Sequence, residues 1–150
     1  MINKNILYIS ILFLFANCGF SPVYLQNSDI NFSIEQFNYK GDRDLNNFLK
    51  AKLNQYKNKK NDNKIYIEAE TIYKKIVLSK DETGEVTNYQ LEAEVIFLIK
   101  PLNKKIIIIE KEIIDSMDDK FEEARYERTI KQSFATSIAN KLSLELIINK

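Results

Sequence analysis

The sequence predicts an α+β domain: two helices packed on one face of a four-stranded, mainly antiparallel sheet, in the order β-α-β-β-β-α. Three observations predict it. Residues 64–115 hold three long segments with period-two alternation, separated by short turn signals. Two further segments, near residues 42–56 and 121–147, carry apolar residues at helical spacing. One helical layer covering one sheet face is the economical way to bury both kinds of stripe.

The first strand is expected over Ile30 to Phe37. Ile30, Phe32 and Ile34 alternate with Asn31, Ser33 and Glu35, the pattern of a half-buried strand. Gly41 breaks it. Asp42 or Asp44 then caps a helix reaching about Tyr56, with Leu45, Phe48, Leu49 and Leu53 on one face. Lys57 to Lys64 is a Lys/Asn-rich segment with nothing apolar interleaved, which reads as a solvated loop rather than an anion-binding patch.

Lys64 to Ser79 places Ile65, Ile67, Ala69 and Thr71 on one face, and its length predicts a bulge near Lys74. Asp81 and Gly84 mark the turn between Lys80 and Glu85. Thr87 to Lys100 sets Tyr89, Leu91, Ala93, Val95, Phe97 and Ile99 opposite Gln90, Glu92 and Glu94. Pro101 ends it, Asn103 and Lys104 make the next connection, and Ile106 to Ile109 opens a strand reaching Asp115. Such short links join antiparallel neighbours. Asp118 or Asp119 caps the last helix, from Phe121 to about Ile147, which lacks Gly and Pro. Its expected stripe is Ala124, Ile130, Phe134, Ile138 and Leu142.

Ahead of this domain stands an address. Lys4 precedes an eleven-residue apolar run, Ile6 to Ala16, and Cys18 follows it. The run is the length of a secretory-signal core and short of the roughly 20 residues of a spanning helix. A cysteine at the cleavage position is the pattern of a bacterial lipoprotein, with residues 1–17 removed and Cys18 carrying diacylglycerol. Phe15 and Asn17 depart from the usual residues before that cysteine. A non-lipidated signal or an uncleaved anchor is the competing reading. The expected organisation is residues 1–17 as signal, 18–29 as an extended tether containing Pro22, and 30–150 as one domain.

Composition narrows the function. Loss of Lys4 with the signal takes 22 basic residues to 21, equal to the 21 acidic ones. This balance gives no support for nucleic-acid binding, which calls for a basic excess. The chain has no histidine, and its one cysteine is committed to lipid in the leading reading. The usual acid/base group, the commonest metal ligand and a thiol nucleophile are thereby missing. No enzymatic activity and no cofactor beyond the covalent lipid are expected. Glu122, Glu123 and Glu127 share helical spacing, but Arg125 and Arg128 lie among them, so a solvated ion-pair face is expected there.

The segment Cys18-Gly19-Phe20-Ser21-Pro22-Val23-Tyr24 resembles the mature start of the LptE family of lipopolysaccharide-assembly lipoproteins. Thr87 to Ile99, with Asn88-Tyr89-Gln90-Leu91, resembles that family's central strand. Glu123-Ala124-Arg125 through Leu142 resembles its C-terminal helix. The resemblance implies an outer-membrane lipoprotein, anchored on the periplasmic side, that plugs a β-barrel of LptD type and assists lipopolysaccharide transport. It also implies lipopolysaccharide contact by basic residues near the turn between strands two and three and near the start of the last helix. Lys80 and Arg125 match those positions, and Lys74 and Lys75 are further candidates. A different class of function, carriage of an apolar lipid or lipoprotein ligand, requires a cavity between helices and sheet.

Overall fold

The computed structural model describes residues 32–57 and 63–148. Residues 1–17, the tether 18–29, Cys18 itself, the expected strand start at Ile30 and Asn31, and most of the Lys/Asn loop lie outside that range. Among the described residues the order is β1 (Ser33–Gly41), α1 (Arg43–Leu53), a 3-10 turn (Asn54–Tyr56), β2 (Lys64–Lys80), β3 (Val86–Lys100), β4 (Lys104–Asp115) and α2 (Lys120–Ile148). The strands form one sheet in the order β1-β2-β3-β4. β1 runs parallel to β2, whereas β2–β3 and β3–β4 are antiparallel. The parallel pair needs a crossover, and α1 supplies it. This is the α+β architecture the sequence predicts.

The two helices cover one sheet face. Beneath them Ile65, Ile67, Ala69, Leu91, Ala93, Val95, Phe97, Ile99, Ile106 and Ile108 meet Leu45, Leu49 and Leu53 of α1 and Phe134, Ile138 and Leu142 of α2. Each fully buried Leu, Ile or Phe here contributes about 1.5–3 kcal/mol relative to exposure. Leu91, Val95, Phe97, Ile99, Leu45, Leu49, Ile138 and Leu142 are all fully buried. These side chains form the packed core.

Asp42 is the cap of α1: its Oδ1 accepts the Leu45 N–H at 2.8 Å. Asp119 caps α2, its Oδ1 accepting the N–H groups of Phe121 at 2.8 Å and Glu122 at 3.3 Å. Asp44 and Asp118, the alternatives in the sequence, do neither. The partner carboxylate oxygen of Asp42 lies 3.2 Å from Lys131 Nζ, whose ammonium also sits 3.9 Å from the centre of the Tyr73 ring. One residue thus starts α1 and ties it to α2.

Three sequence expectations are corrected. β1 extends to Gly41, and its alternation changes phase. A register shift between Ile34 and Gln36 brings Phe37 and Tyr39, not Gln36, under the helices. Ser33, expected to face outward, is buried, and its N–H donates to Asn63 O at 2.9 Å. The bulge expected near Lys74 is absent there, because β2 keeps unbroken register with β3 from Tyr66 to Val77. The irregularities fall between Val77 and Lys80. Ala124 is exposed and Glu123 takes the inward position. The six-residue step from Ala124 to Ile130 puts those two residues on different helix faces, whereas Glu123, Glu127 and Ile130 follow one another around one face.

Gly41 turns the chain from β1 into α1 with φ +98°. A Cβ there would lie 1.8 Å from the Thr71 carbonyl oxygen. Thr71 is buried at this corner, and its hydroxyl lies 3.0 Å from both Lys40 O and Asn46 Oδ1. Gly84 also has positive φ, +90°, but open space around it. Gly41→Ala should therefore cost at least about 2 kcal/mol and Gly84→Ala about 1 kcal/mol, read as the difference in urea unfolding midpoints at constant m-value.

Candidate lipid-binding surface

The candidate residues cluster toward the end of the sheet where β2 turns into β3 and α2 begins. The turn is built by Asp81. Its Oδ1 accepts the Thr83 N–H and the Glu85 N–H, each at 2.9 Å, and the Thr83 hydroxyl at 2.7 Å. These bonds, that of the Thr83 hydroxyl foremost, hold the Asp81 carboxyl below the usual range. Backbone bonds from Asp81 N to Glu85 O and from Gly84 N to Asp81 O close the loop. Lys80 immediately precedes it, exposed and opposite Val86.

Lys74 and Lys75 are neighbours in β2 and so point to opposite faces. Lys74 lies on the open face, 3.8 Å from Glu92 Oε1, and Lys111 reaches the same carboxylate at 2.8 Å. Lys75 points under α2. Its Nζ donates to Glu123 Oε1 at 2.8 Å and Glu127 Oε2 at 3.1 Å, and sits 4.3 Å from the centre of the Tyr89 ring. Burial works to lower the Lys75 pKa, but the bonds to Glu123 and Glu127 outweigh it and the net direction is upward. Arg125 is exposed on α2 and pairs with Glu122 one turn back at 3.0 Å.

The four basic candidates therefore do not converge on one point. Lys75 is committed to two carboxylates, Lys74 shares one with Lys111, and Arg125 holds a surface pair worth well under 1 kcal/mol that a ligand can replace. No ion pair ties Lys80 to another described residue. Lys80 and Arg125 are the two with charge to offer.

The expected solvated face at Glu122, Glu123 and Glu127 is half wrong. Glu122 is exposed, but Glu123 retains only 4% exposure. Besides Lys75, Glu123 accepts the Met117 N–H at 2.9 Å and lies 3.1 Å from Lys120 Nζ. The bonds from Lys75, Met117 and Lys120 hold its carboxyl down at about 2. This site was hidden in the sequence because Lys75, the nearer of the two cations on Glu123, comes from β2, 48 residues away.

Sequence reasoning also missed the apolar part of this surface. Ile76, Val77 and Leu78 are exposed by 39%, 45% and 47%, just ahead of Lys80. Phe121, 70% exposed, and Tyr126 stand on the first turns of α2. The signal was present: an unbroken Ile-Val-Leu run abandons the period of two that governs the rest of β2. Between the hairpin and the start of α2 lies an open hollow of about 820 Å³ whose walls include Asp81, Glu85, Asp118 and Lys120. Its acidic balance disfavours an anion inside it, so an anionic amphiphile fits the Ile76–Lys80 rim better than the hollow. Among the described residues no group of His, Cys, Asp and Glu is placed to hold a metal, and no helix is long and apolar enough to cross a membrane.

The fold has solved counterparts. It is similar to the rare lipoprotein B of Shewanella oneidensis (TM-score 0.54, 15% identity, 74% of this chain and 92% of that one). It is similar to a minor lipoprotein of Acinetobacter baumannii (TM-score 0.55, 15% identity, 75% and 94%). A solution structure of lipoprotein B from Nitrosomonas europaea matches comparably (TM-score 0.54, 15% identity, 76% and 83%). At this identity the shared property is the fold. No family model and no curated protein matches the chain.

Glu123 makes a pH prediction. Its folded pKa lies below the unfolded value, so its stabilisation is complete above the unfolded pKa near 4.5 and is lost as pH falls toward about 2. Glu123→Gln should destabilise the domain by about 2 kcal/mol at pH 7 and flatten the loss of stability between those two pH values. Urea unfolding of both forms across that range measures it.

Proposed function

We propose that this chain is a non-enzymatic, LptE-like lipoprotein. It is anchored on the periplasmic side of the outer membrane through lipid on Cys18, plugs a β-barrel of LptD type and assists lipopolysaccharide transport to the surface. The observation that carries this reading is the fold held in common with lipoproteins over about three quarters of the chain, on a sequence with a cysteine directly behind a signal-like apolar run. Two acyl chains on Cys18 anchor far more firmly than one.

The surface supports the plug assignment physically. Large barrels have polar lumens, and the sheet face opposite the helices sets paired charges around a small apolar group that includes Ile96 and Ile107. There Lys100 meets Glu68 at 2.8 Å, Lys111 meets Glu92, and Ile107 and Ile109 stand between such pairs. The hairpin rim offers what lipid A requires. Ile76–Leu78 suit acyl chains and Lys80 suits phosphate through charge-assisted hydrogen bonds, while Arg125, on the outer side of α2, offers a separate cation.

Detergent extraction of a tagged chain from its native membrane should bring down a large β-barrel protein in equal amount. Recovery of the chain free of any barrel would refute the plug. Separately, Lys80→Glu combined with Arg125→Glu should weaken lipopolysaccharide binding about tenfold while leaving the thermal midpoint within a few degrees, since two exposed phosphate contacts at about 0.7 kcal/mol each amount to about one decade. An unchanged binding isotherm would remove both residues from the site.

A further inference from the structure

β4 ends the sheet, and no strand lies beyond it among the described residues. It is twelve residues long, twice the usual strand. Half of its backbone N–H and C=O groups point away from β3, a ready template for another strand. Edges are commonly guarded by charge. Here Lys104 and Lys105 precede and Lys111 follows, within the strand, the uncharged run Ile106-Ile107-Ile108-Ile109. Ile107 and Ile109 are exposed by 50% and 47%. Beside this run α2 stands back. A groove of about 470 Å³ follows the edge, floored by Ile106–Ile109 and walled by Lys141, Leu144 and Glu145 of α2.

We infer that this edge pairs antiparallel with the β4 edge of a second copy of the chain, about a two-fold axis through Ile107. The strand is complementary to itself in that register. Ile107 opposes Ile107, Ile106 opposes Ile108, Lys105 opposes Ile109, and Lys104 opposes Glu110. Every opposed pair lies on one face, so both helical layers stay on the same side of a continuous eight-stranded sheet. Lys104 already pairs with Glu145 at 3.1 Å and Glu110 with Lys141 at 2.7 Å. The register therefore joins two ion pairs into a four-charge cluster at each end of an apolar centre. Other registers are worse. Centring on Ile108 sets Lys105 against Lys111, centring on Glu110 sets that carboxylate against itself, and centring on Ile109 leaves each lysine opposite an isoleucine. A two-fold pairing of this kind closes on itself, covering Lys104–Glu110 of each β4 and leaving Lys111–Asp115 beyond it.

The proposal does not rest on the barrel reading and concerns the chain free of a barrel, since a chain paired in this way cannot plug a lumen one to one. The full chain in mild detergent at micromolar concentration should have the protein mass of a dimer. Ile107→Lys, which places two ammonium groups on the axis at an exposed position, should halve that mass with an unchanged circular dichroism spectrum. Under oxidation Ile107→Cys should form an inter-chain disulfide well above the level of the parent chain, which carries Cys18 alone. Ile113→Cys, more exposed on the same strand but off the axis, should not. A monomeric parent, a dimer indifferent to Ile107→Lys, or equal cross-linking at residues 107 and 113 overturns the inference.

Discussion

The carboxylate of Glu123 is the contact on which the working end of the molecule depends. It lies in the first turn of α2, where a negative charge suits the helix dipole. From there it receives Lys75 of β2, the Met117 backbone and Lys120. A buried carboxylate without partners costs several kcal/mol. With these three it becomes a strut joining the long β2–β3 hairpin to the start of the last helix. Glu127 accepts the second bond of Lys75, and the Tyr89 ring closes over the same ammonium. The hairpin beyond Lys75 extends past the cover of the helices, and its direction is set by this cluster.

A second junction lies next to it along β2, at Thr71, and does the same between α1 and α2. Gly41 can pass within touching distance of the Thr71 carbonyl because it has no side chain. Thr71 and Asp42 then satisfy the polar groups of the corner, and Lys131 carries the tie from Asp42 to α2. Both junctions place buried polar groups at the ends of helices and leave the centre to aliphatic side chains. Of the tyrosines under the helices, Tyr39 and Tyr73 contribute rings to the core, and burial pushes their hydroxyl pKa values up.

The surface that results has three distinct characters. The rim near Lys80 combines exposed aliphatic side chains with unshared positive charge. The open sheet face pairs its charges across strands, Lys74 and Lys111 around Glu92 and Lys100 with Glu68. The β4 edge presents isoleucines and unpaired backbone. An amphiphilic ligand, a polar lumen and a second strand would make different physical demands, and each proposal rests on a different one of these regions. Of the basic residues singled out in the sequence, only the ones outside internal ion pairs, or in pairs easily exchanged, remain available for a ligand.

By itself the sequence determined the element order, both helix stripes from Leu45 to Leu53 and from Phe134 to Leu142, and the inward faces of β2 and β3. These rest on local periodicity, which one chain displays directly. It also raised the expectation of a lipoprotein-like address at Cys18, which lies outside the described residues. The tertiary structure decided the phase of β1, because the shift between Ile34 and Gln36 answers to pairing with β2. It decided the inward turn of Glu123 over Ala124, because the partner of that carboxylate lies 48 residues away in β2. It separated Lys75 from Lys80 as structural and available charges, and it exposed Ile76–Leu78 and the β4 edge. Those properties depend on which surfaces other elements cover, and coverage is a property of the assembled fold.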